Sequence, residues 1–148
     1  MGKAAGARRM QLESGVERLE DVRAFVRESA TNLGASPRSV ADLVQAVDEA
    51  SCNIMLHGYG GKPGPIELEI ERRGEAIAVT LSDRAKPFDP TERPLPREVP
   101  AARLTARGHA GMGVRLLRTM MDEVHHAARP DGGNELTLVR SIEPGEED

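Results

Sequence analysis

Aromatic side chains are almost absent from this sequence: Phe25, Tyr59 and Phe88 are all it holds, and there is no tryptophan. A core must therefore be built from Val, Leu, Ile, Met and Ala. The same scarcity argues against a nucleic-acid module, because single-strand binders stack bases on aromatic platforms. An excess of basic residues is missing too. The formal net charge of −4 leaves no positive footprint for a duplex backbone. A single cysteine, Cys52, cannot form an internal disulfide, so the expected home is a reducing, cytoplasmic compartment. No apolar run is long enough to cross a bilayer. The basic start, Met1 to Arg9, has no apolar stretch behind it to make a secretory signal.

What remains is a soluble composition, 39% hydrophobic and 30% charged, over 148 residues, which is room for one domain with a real core. Residues 10–142 are expected to form it, with 1–9 and 143–148 as loose tails. The apolar spacing of Val16, Leu19, Val22, Phe25 or Val26, Ala30 and Leu33 predicts a first helix over Val16–Leu33, ended by Gly34. Ser36-Pro37 is a start signal for a second helix, which carries Val40, Leu43, Val44, Val47, Ala50, Ile54 and Met55 and stops at Gly58-Tyr-Gly-Gly61. Ile66, Leu68 and Ile70 alternate with Glu67, Glu69 and Glu71, the pattern of a strand with one buried face. Arg73-Gly74-Glu75 turns it into a second strand, Ala76–Asp83. A third helix is expected over Gly111–Met121, and two closing strands over Glu123–Arg129 and Glu135–Ile142. The outline is an α+β two-layer sandwich, with helices on one face of a mixed, mostly antiparallel sheet.

Three constellations carry chemistry. Glu49 and Asn53 lie one helical turn apart and project from the same side, with Gln45 and Asp42 extending that polar stripe backwards. A carboxylate and a carboxamide at this spacing can hold a magnesium ion and orient a hydroxyl; they can equally be a solvated helix face. Asp83 continues the row Ile77, Val79, Leu81, which aims a carboxylate at the core side, where an adenine amino group would satisfy it. The plainer reading is that the strand ends at Ser82 and Asp83 caps a turn. Third, glycines at 108, 111 and 113 open an apolar helix, and backbone amides at such a helix start form an anion site suited to phosphates. Between the second and third constellations, Lys86 to Gly108 has no clear period and holds Pro87, Pro90, Pro94, Pro96 and Pro100. An irregular segment of that length is functional or disordered.

The order and spacing of all three say more than any one. Glu-x-x-x-Asn on a helix, Asp83 at a strand end followed by Pro87-Phe88-Asp89-Pro90, and Gly111-Met112-Gly113 at a helix start together resemble the nucleotide site of the GHKL ATPase superfamily. Its small members that act as anti-sigma-factor serine/threonine kinases look closest, and the resemblance runs from about Met10 to Ile142. It implies a histidine-kinase-like ATPase fold that binds ATP or ADP with Mg2+. Asn53 would bind the magnesium, and Glu49 would be the catalytic base for an acceptor serine or threonine. Asp83 would read adenine. Ala85, Pro87 and Phe88 would follow under the base, and His109, Gly111, Met112 and Gly113 would approach the phosphates, with Arg107 as a further candidate there. The implied partners are a STAS-domain anti-anti-sigma protein, a sigma factor or comparable target, and a second copy of the chain as homodimer. One departure stands out: the family has glycine where this chain has Ala85, and the added methyl restricts the backbone, most of all at a positive φ.

Two other functions compete with the kinase. A non-catalytic partner-binding switch with weak or no nucleotide binding is favoured by Ala85 and opposed by Glu49, because a pure binder has no use for a base. A detached histidine-kinase catalytic domain would want a phospho-accepting histidine in a helix pair, and the first helix holds none. The remaining histidines have no part in the chemistry on this reading. His57 sits near a helix end, and His125 and His126 are strand neighbours that point to opposite faces, poor geometry for one metal. Cys52 reads as a small apolar packer.

Overall fold

A computed structural model of the chain describes residues 6–86, 117 and 119–143. The chain enters through β1 (Arg8–Glu13), passes a 3-10 turn at Val16–Arg18, and forms α1 (Leu19–Asn32) and α2 (Pro37–Asn53). The hairpin of β2 (Pro65–Arg73) and β3 (Ala76–Asp83) follows, and β4 (Glu123–Ala128) and β5 (Asn134–Ser141) make the last hairpin. The strands lie in the order β1-β2-β3-β5-β4, and every pairing is antiparallel. Two helices on one face of this open sheet give the two-layer α+β sandwich that the sequence pattern implies.

The strand alternation decides which face the helices cover. Ile66, Leu68 and Ile70 of β2, Ile77, Val79 and Leu81 of β3, and Leu136 and Leu138 of β5 point to the helix side and are buried there. They meet Val22, Val26 and Ala30 of α1 and Leu43, Ala46, Val47 and Ala50 of α2, so an almost purely aliphatic core results. The helix ends follow their sequence signals. The Ser36 Oγ accepts a bond from the Ser39 amide at 3.2 Å with Pro37 behind it, and Gly34 takes φ +99° while Ala35 N–H donates to the Ala30 carbonyl at 3.1 Å.

Three features differ from the sequence expectation. Strand β1 is an element the pattern does not announce, and it begins at Arg8, inside the stretch expected to be a tail. Its segment Arg-Arg-Met-Gln-Leu-Glu buries only Leu12 fully, too faint an alternation to read. The first α-helix starts at Leu19 rather than Val16, because the 3-10 turn rotates Val16 into solvent, where it is 53% exposed. The second helix does reach Gly58, but its last turn, Ile54–Gly58, widens to a π-helix, with the Tyr59 amide donating to the Ile54 carbonyl at 2.8 Å. The expected helix over Gly111–Met121 lies mostly outside the described residues; Leu117, Thr119 and Met120 are helical.

The course of α2 decides which residues meet at the end of the sheet. Its N-terminal end is tied to the C-terminal end of β5: the Ser36 amide donates to the Ile142 carbonyl at 2.8 Å, Ser39 Oγ to the Ser141 carbonyl at 2.7 Å, and Arg140 Nη2 to Asp42 at 2.8 Å. A 17-residue helix spans about 25 Å and an eight-residue strand about 27 Å, so α2 runs back along β5 and ends over its beginning. Asn53 is thereby delivered to the Asp83–Asn134 end of the sheet.

Candidate functional site

At that end of the sheet a narrow crevice lies between α2 and the strands. Ala50, Asn53, Ile54 and Gly58 form its helical wall, and Asp83, His126, Asn134 and Leu136 its strand wall. Two of the sequence candidates far apart in the chain, Asn53 and Asp83, are thus brought to one cavity. Glu49, one turn ahead of Asn53, is 5% exposed and Asn53 8% exposed, so the reading of the pair as a solvated face is excluded. Polar groups withdrawn from water this far need partners or ligands. The rest of that polar stripe goes elsewhere. Asp42 is held by Arg140, and Gln45 lines the outer groove between α1 and α2 with Arg23 and Asp48.

Asp83 combines both of its sequence readings. It is the last residue of β3 and 4% exposed, so the carboxylate does point to the core side. Its Oδ1 also caps the turn that follows, accepting from the Ala85 amide at 2.9 Å, and takes a second bond from Asn134 Nδ2 at 3.0 Å. The register explains the second bond, because Asp83 and Asn134 face each other directly across β3 and β5. Both donors converge on Oδ1, which leaves Oδ2 as the oxygen without a hydrogen bond among the described residues.

Ala85 sits in this turn, buried, and its methyl has a place. No non-glycine residue among those described has a positive φ, so Ala85 carries none of the left-handed strain that the missing family glycine would suggest. The room comes from across the pocket: a Cβ built on Gly58 would stand 3.1 Å from the Ala85 Cβ. The chain has a methyl on one side and none on the other. Pro87, Phe88, Arg107, His109, Gly111, Met112 and Gly113 lie outside the described residues.

Three contributors escape a reading of the sequence. Asn134 falls just ahead of the closing strand expected over Glu135–Ile142, and its pairing with Asp83 depends on a register between residues 51 apart in the chain. His126 has no role there, although the alternation that packs the half-buried Val124 against the core on the helix side puts His126 there as well. Tyr59 is the third. Its hydroxyl donates to the Pro65 carbonyl at 2.7 Å and accepts from the Arg84 amide at 2.8 Å, which pins the loop after α2 to the turn after Asp83. Burial pushes the Tyr59 phenol above its ordinary value, so it stays protonated and able to donate through the neutral range. Tyr59→Phe removes both bonds, and urea unfolding should record a loss of about 1–2 kcal/mol. Unchanged stability would mean that water replaces the phenol without loss.

Among the described residues no cluster of three or more His, Cys, Asp or Glu is placed to hold a metal ion, and no helix is long and apolar enough to cross a membrane. His125 points away from the pocket, bonded to Glu123 at 2.8 Å, so the two adjacent histidines do sit on opposite faces.

Comparison with known proteins places the chain in a family and finds the same fold in a solved structure. The sequence profile described as histidine kinase-like ATPase domain matches residues 12–140. The anti-sigma F factor of Thermoanaerobacter sp. (strain X514) is 32% identical over 118 residues, covering 80% of this chain and 79% of that one. The serine-protein kinase RsbW of Bacillus licheniformis is 26% identical over 146 residues, 96% of this chain and 89% of that one. Among solved structures, the RsbU and RsbW domains of a Mycobacterium tuberculosis protein superpose with a TM-score of 0.64 at 20% identity, over 91% of this chain. This chain spans 32% of that longer one, and the likeness there is one of fold.

Proposed function

The chain belongs to the histidine kinase-like ATPase domain family, and from that premise we propose that it is an anti-sigma-type serine/threonine protein kinase. Its relatives carry the names anti-sigma F factor and serine-protein kinase. The reaction is transfer of the γ-phosphoryl group of ATP to a serine or threonine of a STAS-domain anti-anti-sigma protein, with a sigma factor or comparable regulator as the second partner. By family resemblance the working form is a homodimer in the cytoplasm.

The observation that supports this best is the meeting of Asn53 and Asp83 in one pocket, with Glu49 buried a turn away. The Asp83 Oδ2 would accept a hydrogen bond from the adenine amino group, and the aliphatic wall of Ala50, Ile54 and Leu136 would take the ring faces. Glu49 is the group on α2 suited to accept the proton from the attacking hydroxyl. Asn53 would hold magnesium through its carboxamide oxygen. That fits an ion which asks few ligands of a protein and takes the rest from phosphates and water, and no multi-carboxylate cage is found among the described residues. When bound, magnesium offsets charge on the transferring phosphoryl group.

Calorimetric titration of ATP with and without magnesium tests the assignment. Wild-type affinity should rise with magnesium, and Asn53→Ala should lose at least roughly tenfold of that gain. A variant that keeps the full magnesium dependence would remove Asn53 from the metal site. The partner-binding switch without nucleotide gains nothing from Ala85, whose backbone is unstrained.

A further inference from the structure

The hydrogen bond to Asp83 does not stop at Asn134. Asn134 Oδ1 is 2.9 Å from the Nε2 of His126, which stands diagonally across β4 and β5 on the helix side of the sheet. The direction of every bond in this row can be assigned. Nδ2 of Asn134 is surrounded by oxygens that only accept: Asp83 Oδ1 at 3.0 Å, the Lys86 carbonyl at 3.2 Å and the Ala85 carbonyl at 3.5 Å. The amide nitrogen must face them, since the carboxamide oxygen would be repelled by all three. Asn134 Oδ1 therefore faces His126 and accepts, so His126 Nε2 carries a hydrogen.

We propose that His126 and Asn134 are positioning residues that set nucleobase specificity, by locking Asp83 so that Oδ2 alone is presented to the base. The inference rests on the reading of this pocket as an adenine site. Asn134 holds Oδ1 on the sheet side and ties the Ala85–Lys86 turn to the same amide. His126 holds Asn134 in the orientation that can donate. A carboxylate fixed in this way accepts from the amino group of adenine and repels the carbonyl oxygen that guanine carries at the same place. A carboxylate free to rotate could turn away from guanine, or meet it through water. The arrangement thus acts on the choice between bases more than on the grip on the phosphates or ribose. His126 and Asn134 both line the pocket, so their own walls add shape to the same selection.

Affinities for ATP and GTP, measured side by side on the full chain, test this. Asn134→Ala should lower the ATP-over-GTP preference about tenfold, chiefly by losing ATP affinity, and His126→Phe should lower it in the same direction by a smaller factor. Asn134 is 6% exposed and its removal could unfold the chain, so His126→Phe and a third measurement carry the test independently. Nitrogen-15 shifts of the imidazole in unliganded wild type should identify His126 as the Nε2–H form, and Asn134→Ala should change that signal. If the wild type prefers ATP and both variants retain the preference while ATP and GTP affinities fall in parallel, the two residues merely support the fold and the proposal is overturned. An Nδ1–H form of neutral His126 would break the row at its first bond. A wild type that binds neither nucleotide would overturn the adenine-site reading itself, a result separate from either of these.

Discussion

Replacing Glu49 with glutamine is expected to slow phosphotransfer by about 10²–10⁴-fold while leaving ATP affinity nearly unchanged. Glu49 lies on α2, a turn before Asn53, and both are almost fully buried although each is polar. A buried carboxylate beside the proposed nucleotide pocket is poorly explained by stability alone, because withdrawing it from water is costly. Glutamine keeps the volume and the hydrogen-bonding shape and removes only the ability to take a proton. Alanine would also open a cavity in α2 and confuse lost chemistry with lost packing. The measurement is single-turnover transfer of labelled phosphate to a STAS-domain partner. Transfer by Glu49→Gln at the wild-type rate would end the base assignment. Transfer absent from the wild type as well would favour the non-catalytic switch.

The second large effect is expected at Gly133, where the sequence offers only a turn glycine. Gly133 has φ +112°, and a Cβ built there would collide with the Asp83 carbonyl oxygen and stand 2.8 Å from the Arg84 Cα. Those are backbone atoms, so no side-chain rotation can relieve the clash. The end of β3 would have to move, and Asp83 with it. Gly133→Ala should cost roughly 3 kcal/mol and lower the thermal midpoint by about 10 °C. Nucleotide binding should also be lost at temperatures where the variant is still folded. Its neighbour supplies the control. Gly132 also has a positive φ, +93°, but a Cβ there meets nothing within 4 Å, so Gly132→Ala should cost only about 1 kcal/mol of strain and keep the pocket. Equal effects at the two positions would mean that backbone conformation, and not the approach to Asp83, makes Gly133 necessary.

Much of this architecture is legible in the residues, for reasons that can be named. Strong alternation places β2 and β3, and the Ser36-Pro37 and Gly34 signals place the junction of the two helices, because both act over a few residues. Parity along β3 is enough to put Asp83 on the helix side, and four-residue spacing puts Asn53 below Glu49. The unread parts depend on distant pairing. Strand β1 exists because Met10 and Leu12 meet Leu68 and Ile66 of β2, across the whole of both helices. Asn134 reaches Asp83 through the β3–β5 register, and His126 reaches Asn134 through the next one. The concern over Ala85 comes from a local rule about glycine, and the answer lies at Gly58 on another element. The helix start expected at His109, Gly111, Met112 and Gly113, and the Pro87-Phe88 segment, lie outside the described residues, so their roles rest on the resemblance alone.

Whether ATP occupies this pocket is best tested by titrating it into nitrogen-15-labelled protein and following the backbone amides. The account predicts saturable shifts that cluster at Asn53, Gly58, Ala85 and Asn134, strengthened by magnesium and weakened in Asp83→Asn. Absence of any shift, or shifts confined to the outer groove of Arg23, Val44 and Asp48 between the helices, would contradict it.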